Sequence, residues 1–164
     1  MGQGAAPEVR FSPAKPQDLD RLIALRVRAM RPALERIDRF DPVRARRRLT
    51  EQYRPQYTRL IWAGEALAGC VAFAPHGPGR RMLEHFYLEP ELSGQGIGSA
   101  VMVALMAEAD AEGATVVLTV VRESDANRLY PRFGFLETGR DEVDIFYERA
   151  PALSSSPVGG GGSR

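Results

Sequence analysis

The sequence has a single cysteine, Cys70, and only two histidines in 164 residues. A lone cysteine excludes an internal disulfide and any multi-cysteine metal site. No apolar run approaches the ~18 residues that a membrane helix requires. The segment Met1–Pro7 lacks the basic-then-apolar order of a secretory signal. These absences lead to the expectation of a cytoplasmic protein with no membrane partner. An excess of one charge is missing too. With 22 basic and 21 acidic residues the net charge is +1, so nothing draws the chain to nucleic acid in general. Lysine is nearly absent: Lys15 is the only one, which reads as coding bias. The densest basic run, Arg44, Arg46, Arg47 and Arg48, has none of the interleaved aromatics that single-strand stacking needs. It reads as a solvated helical face.

What is present is a chain of one-domain length, 44% hydrophobic and 26% charged, able to bury a core. The domain is expected over residues 9–150. Segments 1–8 and 151–164, the latter ending in Gly159–Gly162, Ser163 and Arg164, have too little apolar surface to order themselves. Between them the pattern predicts β-α-α-β-β-β-α-β-α-β-β. Asp18 is a candidate cap for a helix carrying Leu19, Leu22, Ile23 and Leu25, and Asp41-Pro42 opens a second. Thr58–Ala63 and Ala66–Ala74 read as a hairpin, Arg81–Leu88 as a strand, and Gly96–Glu112 as a long helix. Thr115–Val121 is β-branched throughout, the composition of a strand covered on both faces. Ser124 or Asp125 caps a short helix to Arg132, and Phe135–Arg140 and Val143–Arg149 form a last hairpin. Alternation of this kind describes a mixed sheet with helices on both faces.

The stretch Leu88-Glu-Pro-Glu-Leu-Ser-Gly-Gln-Gly-Ile-Gly-Ser-Ala100 carries the most chemistry. A strand ends, a loop turns, and Gly94, Gly96 and Gly98 open a helix. Glycine admits positive φ and close approach of a ligand. The first N–H groups of a helix lack internal partners and, with the helix dipole, suit a phosphate. A phosphate-loop reading fails, because Ser99-Ala100 stands where Lys-Ser/Thr is needed. A dinucleotide fingerprint would place Ser99 at its last glycine and finds no well-placed acid after the next strand.

Gly94–Ala100 resembles the central motif of the GNAT acetyltransferases, Q/R-x-x-G-x-G/A followed by a helix. Ala126-Asn-Arg-Leu-Tyr-Pro-Arg-Phe-Gly-Phe135 resembles their later motif, A-x-x-[FL]-Y-x-x-x-G-F, and one strand separates the two as in that family. The motifs cover about Leu83–Phe135, and the N-terminal part agrees by element order. The resemblance implies an α/β fold: a mixed, mostly antiparallel sheet of six to seven strands with helices on both faces, splayed at its central parallel strands. It also implies acetyl-CoA as acyl donor, without a metal. Tyr87, Leu88 and Glu89 would offer backbone groups to the pantetheine arm. Ser93, Gly94, Gln95, Gly96, Ile97, Gly98 and Ser99 would surround the pyrophosphate. Ser93 stands where the family usually has Gln or Arg, and Glu123 where it often has Asn. Asn127 is the candidate substitute amide.

Amine acylation needs a base for the ammonium proton and a donor for the charge on the thioester oxygen. The resemblance gives the second role to the N–H of Leu88. Strict strand alternation puts Met82, Glu84, Phe86 and Leu88 on one face, with His85 on the other. Glu84 is the only carboxylate of that face and the candidate base. The plainer reading is a surface acid paired with Arg80 or Arg81. Tyr130 matches the family's general acid toward the departing thiolate, against a packed tyrosine as the plainer reading. Cys70, in an apolar run, reads as core filling rather than as an acyl carrier. The acceptor, a small-molecule or peptide amine, is not legible. Arg26, Arg28, Arg31, Arg36 and Arg39 could attract an anionic acceptor or could simply form a solvated face. A homodimer through the C-terminal strands is possible. A sensor that holds acyl-CoA without turnover stays open as the alternative function.

Overall fold

The computed structural model describes residues 8–152. The expected unstructured segments 1–8 and 151–164 lie outside the described residues, save for Glu8, Pro151 and Ala152. Seven strands and three α-helices follow in the order β1 (Val9–Pro13), α1 (Leu19–Arg36), α2 (Pro42–Gln52), β2 (Thr58–Ala63), β3 (Ala66–Pro75), β4 (Arg80–Leu88), α3 (Ile97–Glu112), β5 (Thr115–Val121), β6 (Leu136–Arg140) and β7 (Asp144–Arg149). The strands form one sheet in the order β1-β2-β3-β4-β5-β7-β6.

Among the described strands only β4 and β5 run parallel, joined by the crossover helix α3 that such a pair requires. Their pairing covers just Arg80–Met82 against Thr115–Val117. Beyond Met82 the two strands continue to Leu88 and Val121 with no ladder between them. The mixed, mostly antiparallel sheet is thus open at its centre.

The two faces are covered unequally. On one, α3 buries Ile97, Val101, Met102 and Leu105 against Ile61, Val71, Phe73, Leu83, Val116 and Leu118. On the other, Leu22, Ile23, Leu25 and Leu49 of α1 and α2 pack on Leu60, Cys70 and Tyr87. That second cluster holds no residue of β5 or β7. Thr119, mid-strand in β5, is exposed. The both-face cover expected for Thr115–Val121 is therefore wrong on one side: its β-branched run reflects one buried face and strand propensity.

Three local expectations change. The helix expected from Ser124 to Arg132 is two 3-10 turns, Asp125–Arg128 and Tyr130–Phe133. Ser124 does cap the first, accepting from the Ala126 N–H at 3.2 Å, but Pro131 has no N–H with which to continue a helical ladder. Asp18 lies in its own 3-10 turn, Pro16–Asp18, and its carboxylate accepts from the Lys15 N–H at 2.8 Å instead of capping α1. The third change is in β4. Cys70 pairs with Tyr87 and Ala72 with Glu84, so His85 and Phe86 together oppose Val71. This is a β-bulge. Its first residue, His85, has φ 49, a left-handed conformation that a non-glycine residue adopts at a cost of about 1–3 kcal/mol.

The bulge reassigns the faces of β4. Leu83, Phe86 and Leu88 join the core under α3, while Tyr87 joins the cluster under α1. The expected single face of Met82, Glu84, Phe86 and Leu88 is broken between Glu84 and Phe86. The strands also approach closely here. A Cβ at Gly69 would collide with the Tyr87 carbonyl and crowd Leu88. Gly69→Ala should therefore destabilise the fold by about 1–3 kcal/mol, read as a lower denaturation midpoint. An unchanged midpoint would show that the close approach is not required.

Candidate functional site

The β4–α3 connection folds as its glycines require. Gly94 has φ 79 and Gly96 φ 82, and the chain enters α3 from this left-handed pair. No side chain caps α3, and no acidic residue sits in its first turn. Its first backbone bond is Ala100 N–H to the Gly96 carbonyl, 3.1 Å. The N–H groups of Ile97, Gly98 and Ser99 precede any intrahelical partner. A Cβ on Gly94 would meet nothing within 4 Å, so the space beside Gly94 is open. Ser93 and Gln95 are exposed at its lip. Deeper in, a Cβ on Gly98 would stand 3.5 Å from Leu129 and 3.6 Å from Leu88. Uncapped donors at the positive end of a 16-residue helix fit a pyrophosphate.

The loop leads directly to the opening between β4 and β5. The Glu89 N–H donates to the Ala68 carbonyl at 2.8 Å. Successive amides of a strand point to opposite edges, so the N–H of Leu88 faces the β5 side, where no ladder receives it. Glu89 is clamped by Arg28 of α1 at 2.6 and 3.3 Å.

Tyr130 lies on the α3 side, with 4% of its surface exposed. Its ring centroid is 5.7 Å from that of Phe135 and 6.0 Å from that of Tyr147. Burial, and to a lesser degree its tyrosine neighbours Tyr87 and Tyr147, push its phenol well above the ordinary range, so it carries its proton at neutral pH. Asn127 has a different task from the one expected. Its amide nitrogen reaches the carbonyls of Val121, Arg122 and Ser124, each at 3.0 Å, and its oxygen accepts from the Tyr147 hydroxyl at 2.9 Å. With only two amide protons to give, it has none left for a cofactor. It ties the end of β5 to β7.

On the opposite face stand Glu84, His85 and Tyr87. Glu84 is partly exposed and 3.4 Å from Arg54. The partners suggested by sequence, Arg80 and Arg81, bind Glu148 and Glu112 instead. Arg26 of α1 is only 6% exposed. It donates to the Tyr87 hydroxyl, with its guanidinium carbon 5.4 Å from the Tyr87 ring centroid. The Tyr87 hydroxyl lies 3.0 Å from His85 Nδ1. With Arg26 donating into that oxygen, the Tyr87 proton points to Nδ1, and the proton of neutral His85 belongs on Nε2. Both Arg26 Nε and His85 Nε2 are buried without a partner among the described residues. Sequence reasoning missed the Arg26–Tyr87–His85 cluster because Arg26 comes from α1, about 60 positions away; strict alternation keeps His85 with Tyr87 but sends both to the face away from Glu84. Cys70 is buried at the bulge and donates to the His85 carbonyl at 3.4 Å. Burial pushes its thiol up to about 12, which leaves it inert as a nucleophile.

The glycine turn, the uncapped helix and the opened parallel pair together have counterparts among known proteins. A model of the acetyltransferase (GNAT) family matches residues 21–135. The chain belongs to this family. No curated relative matches it by sequence. Among solved structures, the GNAT chain is similar to the PaiA N-acetyltransferase of Thermoplasma acidophilum in complex with coenzyme A. The TM-score is 0.70 at 17% identity, over 87% of this chain and 99% of that one. It is also similar to the ribosomal-protein-S18-alanine N-acetyltransferase of Escherichia coli. There the TM-score is 0.67 at 16% identity, over 92% of this chain and 99% of that one. At such identities the likeness is one of fold.

Desolvation, reinforced by Arg26, Arg48 and Arg54, lowers the His85 pKa from 6.5 to about 4. The unfolded chain therefore takes up this proton first as pH falls. The stability that neutral His85 contributes is whole above about pH 6.5 and is lost through the window down to about pH 4. His85→Asn, which tolerates positive φ, should lose about 1–2 kcal/mol less stability than wild type between pH 7 and 4.5. Parallel curves for the two proteins in denaturant titrations would contradict this.

Proposed function

We propose that this GNAT protein transfers an acetyl group from acetyl-CoA to a primary amine by direct attack within a ternary complex. One observation carries the reading: the two approaches to the β4–β5 opening lie on opposite faces of the sheet. From the α3 side, the glycine turn and the first amides of α3 would hold the diphosphate, and the N–H of Leu88 would meet the thioester oxygen. From the α1–α2 side, an amine would arrive beside Glu84. The bulge removes Glu84 from the face of Leu88, which supports a role for it on the acceptor's side.

Glu84 would take the ammonium proton, in exchange for its long contact with Arg54. The amine nitrogen then bonds to the acetyl carbon as the carbon–sulfur bond breaks. Tyr130, kept protonated by burial, would give its proton to the departing thiolate and regain one from the acylated nitrogen, which must shed its second proton to become the amide. His85 suits neither role. Its lowered pKa makes it a poor base at pH 7, and its ring is held by Tyr87 and Arg26.

Two substitutions test the assignments. Glu84→Gln should lower kcat about 10²–10⁴-fold near pH 7, with partial recovery at high pH, where free amine no longer needs a base. A pH–rate profile identical to wild type would remove Glu84 from the mechanism. Tyr130→Phe should slow turnover at least tenfold while acetyl-CoA still binds by calorimetry. Turnover at the wild-type rate would leave Tyr130 as a packed tyrosine. Binding of acetyl-CoA without thiol release for any amine would point to a sensor instead.

A further inference from the structure

Charge on the acceptor side is distributed unevenly. Most α1 arginines have a carboxylate partner: Arg21 with Asp18, Arg28 with Glu89, Arg31 with Glu35 and Arg36 with Asp125; Arg39, just past the helix, pairs with Glu142. Arg26, Arg44, Arg46, Arg47 and Arg48 form no ion pair among the described residues. Four of these are on α2, and three of those, Arg44, Arg47 and Arg48, line an open groove of about 490 Å³ along the helix, with Asp41 and Glu51. Asp41 spends one carboxylate oxygen on the N–H groups of Val43 and Arg44, at 3.0 and 3.2 Å, and the three arginines of the groove outnumber Asp41 and Glu51.

Arg48 joins this groove to the site. It follows Ala45 by three positions and precedes Leu49, the two buried residues of α2, so it borders the edge that packs on the sheet. Its neighbour Leu49 packs in one buried cluster with Tyr87 of β4, which brings Arg48 within electrostatic reach of His85, Tyr87 and Asp144 of β7. Beneath lies Arg26, a buried guanidinium with no carboxylate. In a chain of net charge +1, Arg10, Lys15, Arg128 and Arg132 also lack an ion pair among the described residues, but five of the nine unpaired cations lie on α1 and α2, the side from which an amine would enter. A dicationic or polycationic amine would be repelled there. A molecule that carries its own negative charge would be drawn in.

We propose that the acceptor is an anionic amine, a primary amine whose own molecule bears a carboxylate, held by Arg48 and the arginine groove of α2 while its nitrogen meets Glu84. This rests on the acetyl-transfer reading. The shared chemistry can come from a single amino acid or from a peptide with acidic residues behind its N-terminus.

The test is acetyl transfer by the full chain to matched acceptors: glutamate and aspartate, short peptides with acidic residues at positions two and three, the corresponding neutral amides, and linear diamines. The acids should exceed their amides in kcat/KM by at least about tenfold, with an advantage that shrinks as salt rises. Whether the amino acids or the peptides lead identifies the source. Arg48→Gln should cut the acid-over-amide preference about fivefold, and Arg48→Lys should restore most of it. Amides or diamines as the better substrates would overturn this inference and leave acetyl transfer standing. A preference untouched by Arg48→Gln would overturn the role of the groove. Transfer to no amine, with acetyl-CoA bound, would overturn both readings together.

Discussion

The parallel pairing of β4 and β5 stops after three residue pairs, and the chemistry of the molecule is arranged around that gap. A sheet normally spends every amide on a neighbour. Here the edges of Leu83–Leu88 and Leu118–Val121 are left facing one another unpaired, a cost the fold would not carry in a closed core. The opening stays defined because each strand is held from its other side. On β4 this is β3, brought unusually close by Gly69. On β5 it is β7, paired along the whole of Val116–Val121. Two ladders hold the gap open.

The bulge at His85 turns one strand into a two-sided instrument. Without it, Glu84 and Leu88 would face the same way and compete for the same space. With it, the residues that line the α3 core and those that meet α1 separate within five positions. The left-handed His85 is stabilised by the contacts it makes: its carbonyl accepts from Cys70, and its ring closes a chain with Tyr87 and Arg26. The lone cysteine and the buried arginine, unrelated in sequence, belong to the same local device. Arg28 adds a link between the faces, since it ties α1 to Glu89 at the start of the glycine turn.

Much of this was legible in the sequence, and the rest was hidden for identifiable reasons. The glycine turn and α3 announce themselves because positive φ and helix opening are local properties. The element order followed from periodicity. The face of Glu84 did not, because a bulge is decided by the partner strand, here by Gly69 and Val71, about 15 positions away. Asn127 looked free because its acceptors are loop carbonyls that no motif encodes. Thr115–Val121 looked doubly buried because β-branched residues report strand preference as well as burial. The Ser124–Arg132 segment kept its capping serine, yet Pro131 denied it a helix.

A charge-balanced sequence can still be a polarised molecule. Of the two guanidinium groups buried among the described residues, Arg149 sits on Asp110 at 2.8 and 3.0 Å, whereas Arg26 has only a hydroxyl and a neutral imidazole. The first is a compensated structural pair. The second keeps a positive charge in a place of low dielectric, where its field is weakly screened. Burying an uncompensated cation opposes folding, so its field must be set against what it does for the site. Above Arg26, the only acid the α1–α2 side offers to an entering amine on β4 is Glu84, already within reach of Arg54. An amine that brought its own carboxylate would neutralise this surplus on binding. One without it would add its charge to a side where the arginines already outnumber the acids.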